Sequence, residues 1–169
     1  MDLKSYVRDI RDFPKPGIVF KDITPLLADP KALKACFGKL YAEVKDLEVD
    51  KVIGVESRGF LFAPMLAGTL NAGFVPVRKP GKLPFDTFEE SYALEYGTDR
   101  LQMHTDAIKK GDRVVIHDDV LATGGTAKAV CDLVTKAGGI IVQCNFVMEL
   151  EFLKGSDKLE FPVKSVLKY

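Results

Sequence analysis

Hydrophobic and polar positions follow two different periods along the chain, and these periods predict its strands and helices. Helical spacing predicts a helix over about 62–70, with Pro64 in its first turn, and a second helix that ends at Gly138-Gly139. Short, mostly apolar runs predict buried strands at residues 49–55, 74–77, 113–116, 140–147 and 163–167, the last at a sheet edge. These elements alternate as strand, helix, strand in each half of the chain.

The N-terminal part of the chain has a different pattern. Residues 1–10 predict a short amphipathic helix, whereas the prolines and glycine between Asp12 and Pro25 exclude a long one. We expect an ordered irregular segment there, around an extended piece at residues 18–20. Asp29 then predicts a helix N-cap, with Pro30 at the first helical position and the helix running to about Lys45. Its apolar stripe is Leu33, Phe37, Leu40, Tyr41, Val44 and Leu47.

An inserted hairpin separates the two halves of the alternating pattern. Residues 83–90 predict a long loop, and residues 91–96 and 101–105 predict two antiparallel strands around Gly97. The element order therefore indicates an α/β fold with a mainly parallel central sheet flanked by helices, in a single domain over residues 1–169. Ligands bind such sheets beyond the carboxyl ends of the strands, so the loops at Glu56 and Asp118 should face one crevice.

Composition narrows the class of protein without identifying it. Lys plus Arg and Asp plus Glu both number 24 in the 169 residues, so a formal net charge of zero gives no support to nucleic-acid or membrane-surface binding. No apolar run approaches the roughly 18 residues that span a bilayer. We therefore expect a cytoplasmic protein without nucleic-acid or membrane partners. The cysteines at 36, 131 and 144 show no metal-binding or disulfide spacing and are interpreted as core residues.

The candidate chemistry lies at the end of the strand that begins at residue 113. Asp118 and Asp119 place two carboxylates side by side, a costly arrangement unless a cation or hydroxyl donors meet them. A small glycine-rich turn leads from there into a helix, whose first backbone N–H groups can bind a phosphate monoester. The turn consists of Ala122, Thr123, Gly124, Gly125 and Thr126. Acids for sugar hydroxyls and amides for a phosphate, a few residues apart, predict a ribose-5-phosphate site.

The run from Val114 to Thr126 resembles the 5-phosphoribosyl-1-pyrophosphate (PRPP) signature of type I phosphoribosyltransferases. Further stretches resemble the adenine-specific branch of that family: Asp12 to Leu27, Glu56 to Phe60, Arg78 to Pro84 and Tyr92 to Gly97. The similarity covers nearly the whole chain. It implies a type I phosphoribosyltransferase fold, with a small base-binding N-terminal hood over residues 1–30 and a flexible lid loop and hairpin over residues 79–97.

The resemblance also implies roles for basic residues. Arg58, Arg78, Lys79 and Lys82 match the family's pyrophosphate ligands, with Arg58 also counted among the catalytic residues. A solvated basic turn is the alternative interpretation of the last three. Mg²⁺ is the implied cofactor, held mainly through PRPP rather than by assigned protein ligands. Many members have a non-proline cis peptide in the loop matching residues 56–58, which a sequence does not reveal.

The remaining implied roles concern the sugar and the base. Asp118 and Asp119 match the acids that bind the ribose hydroxyls and stabilise the cationic sugar, and residues 122–126 match the 5′-phosphate loop. Glu95 matches an acid of the lid that takes part in proton transfer at a ring nitrogen of adenine, and Tyr96 supports this acid. The alternative interpretation of Glu95 is an ordinary exposed carboxylate. Val19, Phe20 and Lys21 match the adenine site, where contacts are mostly main-chain; Ile18 and Phe20 could equally be core.

His117 departs from the family pattern, which commonly has an apolar strand residue at this position. Strand alternation directs it away from Asp118, so we interpret it as a partly buried, hydrogen-bonded histidine and not a catalytic base. His104 has no motif around it and is expected at the surface.

The resemblance as a whole implies the conversion of adenine and PRPP to AMP and pyrophosphate in purine salvage, by a homodimer. One alternative is the same chemistry on hypoxanthine, guanine, xanthine or orotate. Another is a regulator that senses PRPP or purines without catalysis; such proteins usually carry a basic nucleic-acid-binding surface, against which the zero net charge argues.

Overall fold

The computed structural model describes residues 1–93 and 97–169, which form two compact units, Met1–Lys39 and Leu40–Tyr169. The first unit contains a two-stranded antiparallel sheet, β1 (Arg8–Arg11) and β2 (Val19–Asp22). A 3₁₀ turn at Leu3–Tyr6 precedes the sheet, and the short helix α1 (Thr24–Ala28) follows it. Helix α2 (Pro30–Ala42) begins in this unit.

The predicted helix over residues 1–10 is wrong. Only a single 3₁₀ turn forms, and Arg8–Arg11 instead pairs with β2, with Arg8 opposite Asp22. The Arg8 guanidinium donates to the Asp22 carboxylate at 2.7 Å, which helps fix this register. The extended piece predicted near residues 18–20 is confirmed within β2.

Helix α2 begins as predicted. Asp29 Oδ1 accepts hydrogen bonds from the N–H groups of Lys31 and Ala32 at 2.9 and 2.8 Å, so its side chain caps the helix. The apolar stripe is rotated slightly from the predicted one. The most buried positions are Ala32, Cys36, Leu40 and Val44, while the larger Leu33, Phe37 and Tyr41 beside them are half-buried.

The second unit is built on a five-stranded sheet. Its strands are β3 (Lys51–Val55), β4 (Gly73–Val77), β7 (Arg113–Leu121), β8 (Ile140–Glu149) and β9 (Val163–Lys168). They lie in the order β4-β3-β7-β8-β9, and all neighbouring strands are parallel. Helices α3 (Ala63–Leu70) and α4 (Gly125–Ala137) connect the strands, so the predicted mainly parallel α/β sheet is confirmed.

An antiparallel hairpin, β5 (Thr87–Ala93) and β6 (Thr98–His104), is inserted between β4 and β7. The loop predicted over residues 83–90 is wrong in its second half, because residues 87–90 pair with residues 101–104. The base of the hairpin is anchored, since Leu101 and Met103 are buried in the main hydrophobic core with α4 and the sheet. No helix within residues 1–93 and 97–169 is long and apolar enough to cross a bilayer.

Candidate active site

Three neighbouring parallel strands deliver their following loops to one edge of the sheet. β3 lies between β4 and β7, so the segments after Val55 and Val77 and the acidic end of β7 are adjacent. Arg58 Nε lies 2.8 Å from Asp119 Oδ2. A Cβ built on Gly59 would lie 3.0 Å from Asp118 Oδ1. The prediction that the two loops face one crevice is confirmed, and the Glu56–Ser57 peptide in this crevice is cis.

The paired acids at the end of β7 are electrostatically unfavourable in the absence of a ligand. Burial, together with the charge of Asp119, raises the pKa of Asp118 well above its usual range. Burial also raises the pKa of Asp119, although Arg58 acts in the opposite direction. Asp119 is only 4% exposed, and its Oδ2 forms an ion pair with Arg58 but makes no hydrogen bond of good geometry to any described residue. Hydroxyl donors or a cation would stabilise such a pair of carboxylates.

The turn between β7 and α4 forms a small cavity of about 80 Å³. Gly124, with φ of 82°, is the residue that precedes the helix, and no described side chain caps the N-terminus of α4. The amides of the first turn thus remain available to an anion. The cavity lining includes Asp118 together with the whole predicted phosphate turn, Ala122, Thr123, Gly124, Gly125 and Thr126.

Gly155 forms the floor of this turn and was not suggested by the sequence. A Cβ on Gly155 would lie 2.1 Å from the Ala122 carbonyl oxygen and 2.9 Å from the Gly124 nitrogen. Conversely, a Cβ on Gly124 would lie 2.4 Å from the Gly155 carbonyl oxygen. The two backbones therefore touch directly, and only glycine fits at either position.

The basic turn after β4 is paired with acids. Arg78 Nε donates to Glu56 Oε2 at 3.3 Å, the Lys79 N–H donates to the same oxygen at 2.9 Å, and the Lys82 ammonium contacts Glu56 Oε1. Burial acts to raise the pKa of Glu56, but these donors prevail and lower it. The Lys79 ammonium binds the Asp99 carboxylate and lies 3.3 Å from the Tyr92 hydroxyl. The turn is therefore organised, and not simply a solvated basic segment.

Comparison with known proteins agrees with this geometry. The family model of the phosphoribosyl transferase domain matches residues 22–168. The chain is 62% identical to the adenine phosphoribosyltransferase of Christiangramia forsetii and 63% identical to that of Flavobacterium johnsoniae, over 100% of this chain and 99% and 100% of theirs. The chain belongs to the adenine phosphoribosyltransferase family.

Solved structures of other adenine phosphoribosyltransferases have the same fold. The enzyme from Thermoanaerobacter pseudethanolicus superposes with a TM-score of 0.97 at 49% identity, covering 99% of this chain and 98% of that one. The Saccharomyces cerevisiae enzyme, solved with an imino-altritol bisphosphate and adenine, gives a TM-score of 0.91 at 43% identity over 98% and 97% of the two chains. The type I phosphoribosyltransferase fold expected from the sequence is thereby confirmed.

The residues that match the family's adenine site lie in the N-terminal unit, on β2. Val19 pairs with Arg11, and Lys21 pairs with Asp9, across the two-stranded sheet. The Phe20 ring packs edge-on against Phe13 with centroids 5.2 Å apart. Ile18 and Val19 are each 46% exposed, so Ile18 is not the core residue that was one alternative.

Two residues that match the adenine phosphoribosyltransferase lid, Glu95 and Tyr96, lie outside the described residues. The nearest described part of the hairpin approaches the phosphate turn. A Cβ on Gly125 would lie 3.5 Å from the Ala93 carbonyl oxygen and 3.5 Å from the Tyr92 ring. The hairpin therefore runs directly over the turn at the start of α4.

His117, the departure from the family pattern, is a buried histidine without access to the site. Asn145 donates through its amide to Leu40 and Gln143, so its Oδ1 accepts from His117 Nδ1 at 3.0 Å. Burial lowers the pKa of His117 to about 4. Its Nε2 has no hydrogen-bond partner in the described part of the chain. The interpretation of His117 as a hydrogen-bonded structural residue is confirmed, although burial is complete and not partial.

The depressed pKa of His117 makes a pH-dependent contribution to stability. The unfolded chain takes up the proton near pH 6.5 and the folded chain only near pH 4, so folding weakens as the pH falls between these values. We expect a total loss of about 3 kcal/mol from this group. Urea unfolding of His117→Leu at pH 7 and pH 4.5 should show a smaller pH dependence than the parent protein.

The parent protein, unfolded at the same two pH values, is the reference for this comparison. The same acid destabilisation in His117→Leu as in the parent would contradict the assignment. The absolute stability of His117→Leu does not enter the test, because the variant also loses the hydrogen bond to Asn145.

The sequence interpretation missed three residues that organise the site. Glu56 and Asp99 neutralise the basic turn, and Gly155 supports the phosphate turn. Glu56 comes directly after the buried strand β3, and that position was a usable signal. The pairing of Asp99 with Lys79 and the close approach of Gly155 to Ala122 depend on contacts distant in sequence, for which no local pattern exists.

Proposed function

We propose that this protein converts adenine and PRPP to AMP and pyrophosphate in purine salvage. The observation that carries the proposal is the single cavity in which Asp118 meets the uncapped start of α4. Relatives support the base and the products: the yeast structure contains adenine, and the Trypanosoma brucei structure, 27% identical with a TM-score of 0.90, contains AMP, pyrophosphate and ribose-5-phosphate.

In this proposal the acids and the turn hold the ribose 5-phosphate group of PRPP. Residues 122–126 bind the 5′-phosphate through backbone N–H groups and the hydroxyls of Thr123 and Thr126. Asp118 and Asp119 accept hydrogen bonds from the ribose hydroxyls, which gives two neighbouring acids with raised pKa values the donors that they lack. Their charge also stabilises the positive sugar that forms as the bond to pyrophosphate breaks.

The cations of the crevice stabilise the leaving pyrophosphate. Arg58 approaches from the β3 loop, and Arg78, Lys79 and Lys82 come from the basic turn. Because the latter three are paired with Glu56 or Asp99, pyrophosphate binding exchanges one set of anions for another. Hydrogen-bond donors that are already oriented then stabilise the negative charge that develops on the leaving pyrophosphate.

The residues present fit a Mg²⁺ ion held mainly by PRPP. The adjacent pair Asp118–Asp119, whose pKa values are both raised, is an acidic environment of the kind that a cation stabilises, whereas no cluster of three or more potential ligands occurs among the described residues. Asp118 and Asp119 are the acids that would help to hold such an ion. When bound to PRPP, Mg²⁺ neutralises charge on the pyrophosphate.

The base contacts are proposed from the family match of Val19, Phe20 and Lys21. Adenine would lie against Val19 and the Phe20 ring, and the backbone groups of Val19 and Lys21 would read its edge. The exposure of Val19, 46%, leaves an apolar surface for a planar base. Because these contacts are largely main-chain, side-chain substitutions here should alter base choice only weakly.

A lid role is proposed for the hairpin over residues 79–97, whose described part passes the phosphate turn at Gly125. Closure of such a lid excludes water, which would otherwise hydrolyse PRPP.

We expect Glu95→Gln to lower kcat by about 10²-fold with a smaller change in KM for PRPP, because it removes a proton-transfer group and no pyrophosphate ligand. Steady-state kinetics measures both parameters. An effect confined to KM would make Glu95 a binding residue.

A comparison of bases tests the reaction itself. Purified protein with PRPP and Mg²⁺ should consume adenine and release pyrophosphate, and leave hypoxanthine, guanine, xanthine and orotate unused in separate reactions. Preference for another base would refute the adenine assignment. Binding of PRPP without consumption of any base would favour the regulator.

Cellular location and assembly belong to the same proposal. We propose a cytoplasmic homodimer without nucleic-acid or membrane partners. The formal net charge of zero supports the absence of a nucleic-acid partner. Light scattering coupled to size exclusion should give the mass of two chains, and the mass of one chain would refute the dimer.

A further inference from the structure

Two thiols that do not line the cavity at the phosphate turn lie side by side in the core of the second unit. Cys131 is on α4, Cys144 is on β8, and their sulfur atoms are 3.8 Å apart. Both are free thiols, and Cys36 is the other cysteine of the chain, buried on α2 without a second cysteine beside it. The chain between the paired cysteines includes the turn at Gly138-Gly139, so the fold and not the local sequence brings them together.

The pair is reached from outside through a cavity. A pocket of about 180 Å³ next to α4 is lined by Cys131, by Lys128 and Asp132 of the same helix, and by residues 159–161. Cys131 is 2% exposed and Cys144 is fully buried. Cys131 is therefore the member of the pair that lines a pocket wide enough for a small, uncharged oxidant, whereas Cys144 is not among the lining residues.

The environment distinguishes the two sulfurs. The contact between the two thiols lowers the pKa of Cys131, against the effect of burial, and together with burial raises the pKa of Cys144. Position distinguishes them as well, because Cys131 lines the pocket and Cys144 is not among the lining residues. Cys131 is therefore assigned as the sulfur that reacts with peroxide as a thiolate. Burial raises the pKa of Cys36 to about 12, so that thiol provides an unreactive reference within the same chain.

We propose that Cys131 and Cys144 form a peroxide-oxidisable dithiol site whose product is a disulfide that joins α4 to β8. The Cys131 thiolate attacks one oxygen of hydrogen peroxide, the O–O bond breaks, and a sulfenic acid and hydroxide result. The Cys144 sulfur then attacks the Cys131 sulfur, the S–O bond breaks, and the hydroxyl leaves with the Cys144 proton as water. Two thiols are oxidised by two electrons, and peroxide is reduced to two waters.

The movement that the second step requires is small. A disulfide bond is about 2.0 Å long, so the sulfurs must approach by about 1.8 Å from their present separation of 3.8 Å. Rotation of the two side chains supplies part of this movement and a slight shift of α4 toward β8 supplies the rest. The oxidised form would close a short loop through the Gly138-Gly139 turn.

Mass spectrometry of the whole chain tests the site. The reduced protein is treated with hydrogen peroxide, free thiols are blocked by alkylation in denaturant, and the chain is digested without reductant. We expect a peptide pair joined through Cys131 and Cys144 that is lighter by two hydrogens than its reduced components and is released by dithiothreitol. Cys36 should remain fully alkylated. Oxidation of Cys36 at the same rate, or recovery of all three thiols, would overturn the proposal.

Two variants identify the order of the steps and provide the control. In Cys144→Ala the sulfenic acid at Cys131 has no resolving thiol, so dimedone should label Cys131 after peroxide treatment. In Cys36→Ala the joined peptide should form as in the parent. Absence of dimedone labelling at Cys131 in Cys144→Ala would contradict the assignment of Cys131 as the attacking sulfur. Labelling of Cys144 in Cys131→Ala at the rate seen for Cys131 in Cys144→Ala would contradict it as well.

Discussion

Asp119→Asn is expected to lower kcat/KM for PRPP by about 10²–10³-fold, the loss typical when one group that stabilises transition-state charge is removed. Asp119 is 4% exposed at the end of β7, so water would not replace its charge effectively. An asparagine preserves the shape of the side chain and leaves the sugar without the full negative charge that balances its developing positive charge. Initial rates with adenine and varied PRPP provide the measurement.

The same substitution should not destabilise the fold. Burial raises the pKa of Asp119, which means that the charged form of this side chain is less favourable in the folded protein than in water. We therefore expect urea unfolding of Asp119→Asn at pH 7 to give a free energy equal to or above that of the parent. Asp46→Asn, at an acid whose side chain is 83% exposed, is the matched control and should keep parental kinetics. Parental turnover by Asp119→Asn would remove the ribose-site assignment.

Gly155→Ala is expected to lower kcat/KM for PRPP by about 10²-fold, although no substrate contact is proposed for residue 155. The new Cβ would lie 2.1 Å from the Ala122 carbonyl oxygen, so one of the two backbones must move by roughly 1 Å to reach an ordinary contact. Ala122 is the first residue of the phosphate turn, so this movement would displace the backbone amides of the turn. Displaced amides should weaken AMP binding as well, which calorimetric titration measures directly.

Gly68→Ala is the matched control for Gly155→Ala. Gly68 lies in α3, and a Cβ there would meet no atom within 4 Å. Alanine is a better helix former than glycine, so this variant should keep parental activity and be at least as stable. If Gly155→Ala binds AMP as tightly as the parent, the close contact does not set the position of the phosphate turn.

Local patterns were sufficient to predict the central sheet and the turn at the start of α4. Buried parallel strands carry continuous apolar runs, and the Asp118–Thr126 chemistry is contiguous in sequence, so both can be recognised without long-range information. The Asp29 cap of α2 was predicted for the same reason, because it requires residues only two and three positions apart.

Features that depend on distant partners were not predictable from the sequence. Residues 8–11 form a strand because β2 lies beside them, although their own spacing also suits a helix. Residues 87–90 pair with residues 101–104, and this antiparallel partner decides against the loop that their lack of periodicity suggested. The ion pairs of Glu56 join residues more than twenty positions apart, which no motif indicates.

These ion pairs of Glu56 have a consequence for selectivity among anions in the cell. The Glu56 carboxylate competes with any incoming anion, since it already accepts hydrogen bonds from Arg78, Lys82 and the Lys79 backbone. An incoming anion must bring more charge and more acceptor oxygens than a carboxylate offers. We expect pyrophosphate to meet that requirement better than orthophosphate, so the basic turn should favour pyrophosphate over orthophosphate. Inhibition constants of the two anions against PRPP would show a wider gap in the parent than in Glu56→Gln.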